Sequence, residues 1–247
     1  MPPTPRAVDP LFTGYPLTAL ADAALGRARE LGAGHADFRM ERVRSASWRL
    51  RDARPSGGSD SVQLGFAVRV LLDGAWGFAA GVDLTTAAAA RVAEQAVAVA
   101  RLSGSISRAA GSPDVVELAD EPVHADAVWV SAYEENPFDV PDAEKTALLA
   151  DWSGRLLAAD GVSHVTAALL TVQENKFYAD TAGTVTTQQR IRLHPGWRPP
   201  RSTGAAAPST RCARWPRRPA AASSTCAAPA GTGTPNSPSS PRCSPRR

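Results

Sequence analysis

The stretch Ser61–Gly81, "SVQLGFAVRVLLDGAWGFAAG", sets the fold class. Val62, Leu64, Phe66, Val68, Val70 and Leu72 fall on every second position, which is the period of a strand with one buried face. Asp73-Gly74 follows at once. A two-residue type I′ turn needs positive φ at both central positions, and Asp-Gly supplies it at low cost. Trp76 and Phe78 resume the alternation on the return strand. Strands joined by so short a turn must be antiparallel.

Working outward, the preceding "ADFRMERVRSASWRLRD" (36–52) alternates as well. Phe38, Met40, Ala46, Trp48 and Leu50 share one face, and Arg39, Ser45, Ser47, Arg49 and Arg51 share the other. Arg42 and Arg44 interrupt the apolar face, which predicts a bulge or bend there. "PSGGSD" (55–60) reads as a loop. Upstream, Leu17, Leu20, Ala21, Ala24, Leu25, Ala28 and Leu31 recur at helical steps, and Gly32 and Gly34 stop the helix. Downstream, Thr85 or Thr86 caps a helix to about Leu102, with Gly104–Pro113 a loop. The segment 115–130 fits no single pattern, and "ENPFDVP" (135–141) is a turn-rich connector. A helix spans about Asp142 to Ala159, with Leu148, Leu149, Trp152 and Leu156 on its buried face. Two strands, Val162 to about Asp180 and Val185 to Leu193, meet at a turn in which Gly183 takes the positive-φ position. The resulting expectation is an α+β fold, a mostly antiparallel sheet with helices packed on one face, followed by a disordered C-terminal tail. Its parts are an extended segment at 1–16, a domain at 17–194 and the tail at 195–247.

The charge is split. The 53 residues from Pro195 to Arg247 hold nine of the 27 basic residues and no acid, so 18 basic residues face all 24 acids in Met1–His194. The body is therefore at −6 and the tail at +9. An acidic body disfavours phosphate backbones, so nucleic acid is not the expected partner. All three cysteines, Cys212, Cys226 and Cys243, lie in the tail, without C-x-x-C spacing or a nearby histidine. No signal-type or membrane-length apolar run occurs, and the expected location is cytoplasmic.

Residues that carry chemistry are sparse. His35, His124, His164 and His194 have no second histidine or cysteine at ligand spacing, and no H-E-x-x-H, P-loop or G-x-S-x-G occurs. Glu134-Glu135 reads as a solvated pair, and Ser56-Gly57-Gly58-Ser59 as a connector with no helix behind it. Arg39, Arg42, Arg44, Arg49, Arg51 and Arg54 read as either an anion strip or a solvated sheet face; the body's excess acid favours the latter. The expected catalytic, cofactor-binding and metal residues of this chain are none.

The chain resembles the N-terminal domain of the TldD/PmbA proteins, called modulators of DNA gyrase and regarded as zinc metallopeptidases. The resemblance rests on "ADFRMERVRSASWRLRDARPSGGSDSVQLGFAVRVLLDGAWGFAAGVDLT", the helix "TAAAARVAEQAVAVARL" behind it, and "ENKFYADTAGTVTTQQRIRLHP". The three stand in the family's order over about Leu17 to Pro195, closer to the TldD-like subgroup. It implies peptide substrates and a PmbA-like partner in a heterodimer. It also implies zinc, held by an H-E-x-x-x-H helix and a later cysteine in the C-terminal half, with the glutamate as general base. None of those zinc residues has a counterpart in this chain. The resemblance therefore implies a chain without peptidase activity of its own, with a non-enzymatic binding module as the alternative.

Past Pro195 the family pattern stops. No Ile, Leu, Val, Met, Phe or Tyr occurs there, and 11 of the 21 prolines do. This is the output expected of GC-rich DNA read out of frame. "STRCARW" (209–215) can be encoded by TCG ACA CGA TGC GCA CGC TGG, and read one nucleotide earlier such DNA can give "FDTMRTL", which fits the family. "TPNSPSSPRCSPR" (234–246) is likewise compatible with "DTELAELPALLAA". A frameshift near Pro195 or Gly196 is the expectation, in the gene or in its sequencing.

Overall fold

The computed structural model describes residues 7–111 and 116–198. Of the tail expected to be disordered from Pro195, residues 195–198 are strand, and 199–247 lie outside the described residues. Ten elements follow in order: α1 Pro10–Thr13, α2 Leu17–Glu30, β1 His35–Arg51, β2 Arg54–Leu72, β3 Ala75–Gly81, α3 Thr86–Ala109, β4 Ala127–Val130, α4 Asp142–Leu157, β5 Thr166–Asp180 and β6 Val185–Arg198. The fold is α+β. One six-stranded sheet runs β3-β2-β1-β5-β6-β4, antiparallel throughout except for the parallel pair β4–β6.

Two positive-φ turns organise the long ribbons. Asp73 (φ 49°) and Gly74 (φ 75°) close β2 onto β3 as the sequence predicts. Asp52 (φ 51°) and Ala53 (φ 62°) close β1 onto β2, so "PSGGSD" is strand and not loop. Those small residues pair directly with β1, and the Ser47 and Ser59 hydroxyls meet at 2.8 Å. Loop composition here marks an exposed ribbon, because β2 is solvent-facing from Arg54 to Gln63.

The helices all lie on one face. α2 and α3 cover Phe38, Met40, Phe66, Val68, Val70, Phe177 and Ala179 and form the larger core. Each fully buried side chain of that size contributes roughly 1.5–3 kcal/mol. α4 covers a smaller core of Leu50, Ala167 and Leu169, flanked by Trp48 and Trp197.

Several expectations change. No bulge occurs at Arg42–Arg44, and the register shift comes at Arg49/Leu50. Arg42 keeps its inward phase because Asp9 neutralises it at 3.0 Å. The segment 1–16 is not simply extended: Asp9 caps the single turn α1, and Phe12 is fully buried. α3 passes Leu102 and runs to Ala109, with Gly104 buried against Ala75 rather than opening a loop. On α4 the buried residues are Lys145, Leu149 and Ser153, while Leu148 is 40% and Trp152 36% exposed and Leu156 is half-buried. Lys145 Nζ sits 4.2 Å from the Trp48 ring centre, which sets that phase. On β3 the helix-facing residue is Gly77, and Phe78 is exposed. β5 begins at Thr166 and β6 reaches Arg198, four residues past the expected His194 boundary.

Candidate functional site

The sheet face opposite the helices carries the densest cluster of charged and aromatic groups. Its centre is Asp37, only 1% exposed although no helix covers it. Strand pairing places Arg69 beside it on β2, Asp180 opposite it on β5, and Arg39 two residues along β1. Arg69 Nη2 lies 2.7 Å from Asp37 Oδ2, and Arg39 Nε lies 3.4 Å from Oδ1. The arginines are held from behind: the Arg69 guanidinium sits 4.5 Å from the Trp76 ring centre and that of Arg39 5.7 Å from Tyr178. Tyr178 Oη donates to Asp180 Oδ2 at 3.0 Å. Burial, and then the Asp37 charge, push the Tyr178 phenol well above the ordinary tyrosine range.

The charges continue across the strands. Lys176 Nζ meets Glu41 at 3.0 Å and Glu174 at 3.5 Å, and Arg192 also bonds Glu174. Arg39 and Arg69 share the Asp37 carboxylate, and Arg192 pairs with Glu174. The arrangement is a flat, cross-braced polar platform suited to packing against another surface; it holds no nucleophile paired with a base.

The arginine strip of β1 divides between the faces. Arg39, Arg49 and Arg51 lie on the open face, where Arg51 approaches Asp52 at 3.8 Å. Arg42 and Arg44 point inward, Arg42 to Asp9 and Arg44 to Asp60 at 2.6 Å with Phe138 beneath its guanidinium. Arg54 starts β2 next to the turn. No continuous anion strip forms, in line with the solvated-face reading. The histidines are dispersed in role. His35 lies edge-on to Trp76, His164 Nδ1 bonds Asp52 Oδ2 at 3.0 Å, the His124 carbonyl accepts from Val185 N, and His194 lies in β6. Glu134 and Glu135 are exposed, and neither joins an ion pair among the described residues.

One network escaped the sequence. On the helix side, between the two cores, Asp9 Oδ2 accepts from Arg42 Nη1 at 3.0 Å and Gln173 Nε2 at 2.9 Å. Asp9 N and Asn175 Nδ2 both donate to Gln189 Oε1, at 2.8 and 3.1 Å. Gln173 and Asn175 are in phase with buried Leu169 and Phe177, and polar residues in that phase were the available signal. The network ties the N-terminal segment across β5 and β6.

Residues 36–100, which are β1 to β3 and most of α3, match the family model described as PmbA/TldA metallopeptidase domain 1. A protein named "Metalloprotease" from Methanothermobacter thermautotrophicus is 26% identical over 163 residues, 64% of this chain and 32% of its own length. Over residues 36–100 the chain carries a domain of the TldD/PmbA type. The chain spans about a third of that relative. Its fold is that of two proteins described as modulators of DNA gyrase. The one from Bacteroides thetaiotaomicron has a TM-score of 0.57 at 14% identity, with 73% of this chain and 40% of that chain covered. The one from Thermotoga maritima has a TM-score of 0.52 at 14% identity, with 77% and 44% covered.

The family name implies a metal in the relatives. The described residues of this chain do not fit one. No three His, Cys, Asp or Glu groups among them come together as a metal-holding set. The best-buried carboxylate, Asp37, is already flanked by two guanidinium groups, which oppose a cation. No helix among the described residues is long and apolar enough to cross a membrane.

Proposed function

We propose that this chain supplies the N-terminal domain of a TldD-like zinc metallopeptidase acting on small or unfolded peptides. The zinc ligands and general base lie on residues that this chain does not contain, so the chain alone does not cleave peptides. The observation that carries the reading is the family match over residues 36–100, the segment that builds the central ribbons. The domain works in the cytoplasm and packs against a PmbA-like partner subunit, and its braced open face supplies a surface for such packing.

We also propose that the reading frame changes near Pro195 or Gly196. The shift in composition there supports this. Resequencing the gene tests both proposals together. The expected result is a frame one nucleotide earlier that encodes H-E-x-x-x-H downstream. Continuous DNA with no such motif in either frame overturns them.

A further inference from the structure

β4 is the outermost strand of the sheet and pairs only with β6. Ser131 N bonds the Gln189 carbonyl, so Ser131, Trp129 and Ala127 turn their backbone groups toward β6. In a strand the alternate residues turn theirs the other way, which leaves the N–H and C=O of Val128 and Val130 on the free edge. Native sheets usually guard such an edge with lysine, proline or a bulge. "AVWV" has none of these; Val128 is 67% exposed and Trp129 48%. On the helix side, a groove of about 360 Å³ opens directly beside Val128, with Tyr15, Leu17, Phe177 and Val185 among its walls.

The sequence that flanks β4 is one-sided in charge. Residues 109–144 hold ten acids and no lysine or arginine. That leaves 14 acids against 18 basic residues in the rest of Met1–His194, so the body's negative balance is concentrated in the segment containing β4. Asp126 precedes β4 and lines the groove, and Glu134 and Glu135 follow the strand. None of the three is in an ion pair among the described residues, so their charge is available to a newcomer. One opposing charge, the Arg190 guanidinium, lies 5.8 Å from the Trp129 ring centre on the open face.

We propose that the free edge of β4 docks an extended, lysine- or arginine-bearing peptide segment, which joins the sheet as a further strand. Backbone hydrogen bonds to Val128 and Val130 supply the pairing, the groove takes one apolar side chain, and Asp126, Glu134 and Glu135 select for positive charge. A second copy of this chain is a poor occupant, because edge-to-edge pairing sets the same three carboxylates against each other. The inference rests on the sheet edge and its charges, and its readout is binding, so it stands or falls apart from the metallopeptidase reading.

The test is fluorescence anisotropy of the full chain with a labelled peptide of alternating lysine and valine. Two controls accompany it: the same peptide N-methylated at alternate amides, and one with glutamate for lysine. The expected result is saturable binding that weakens as salt rises. Each control binds roughly tenfold or more weakly, and the triple variant D126N/E134Q/E135Q loses about the same factor. Circular dichroism checks that the variant is folded; Asn tolerates the positive φ of Asp126 (53°). Absence of saturable binding, equal binding of either control, or an unchanged affinity in the folded triple variant overturns the proposal.

Discussion

A methyl group at Gly77 would lie 1.9 Å from the carbonyl oxygen of Ala96, and 2.6 Å from the backbone nitrogen of Ala100. β3 and α3 therefore touch backbone to backbone at this point. The alanines of α3 that face the sheet, Ala89, Ala93, Ala96 and Ala100, allow the same approach from the helix side. Gly77→Ala is expected to push α3 off the sheet. Overpacking usually costs about 1–3 kcal/mol, and a clash with backbone belongs at or above the top of that range. Thermal unfolding of the variant should show a midpoint lowered by roughly 6 °C or more.

The Asp9 network predicts that the N-terminal segment stabilises the whole sheet. Asp9→Ala leaves the inward-facing Arg42 guanidinium without its carboxylate, and the two side chains are only 17% and 10% exposed. Loss of one partner of a mostly buried pair costs about 3 kcal/mol. Urea unfolding of Asp9→Ala, Arg42→Met and the double variant checks this. The double variant should lose less than the sum of the singles, because the charge stranded by the first change is removed by the second.

Acid should weaken the far turn. The Val165 backbone N–H, and next the His164 ring, hold the Asp52 carboxyl below its ordinary value. A depressed folded value means that the contribution is complete above the unfolded carboxylate range and disappears as pH falls through the folded value. The stability gap between the wild type and Asp52→Asn should be open at neutral pH and close in acid. Denaturant melts across that range measure it. Asn suits the φ of 51° at this position, so the backbone is not the cause of any difference.

Alkali acts at the other end. The Tyr178 phenol is raised, so the folded state keeps its proton after an unfolded chain would have lost it. That contribution is complete below the unfolded value, about pH 10, and is lost as pH rises toward the folded one. In an absorbance titration of phenolate, Tyr178→Phe should delete the latest-ionising tyrosine. Stability of the wild type should fall above about pH 10 more steeply than that of the variant.

The ribbons were legible in the sequence because their signals are local. Asp73-Gly74 and Gly183 take the turn conformations predicted, and the alternation of Val62–Leu72 holds as a phase, although β2 stays solvent-facing as far as Gln63. What the sequence hid depends on distant partners. Arg42 looked like a break in the apolar face until Asp9, 33 residues away, neutralised it. "PSGGSD" looked like a loop because its small polar residues pair with Ser47 and its neighbours instead of burying anything. β4 has four residues and a parallel partner more than 50 residues on, so no turn chemistry announces it. The alternation on β3 was read from Trp76 and Phe78, yet Gly77 between them is the residue that meets the helix. At the candidate site the arginines were visible, but their division between two faces required the register, and Asp37 gave no hint of burial on an uncovered face.

The central proposal is that this chain supplies one domain of a metallopeptidase whose zinc ligands are not among its residues. The most direct test is elemental analysis of the purified chain, dialysed after incubation with zinc, with peptide hydrolysis measured on the same sample. The account predicts no stoichiometric zinc and no cleavage; one zinc retained per chain together with peptide hydrolysis would contradict it.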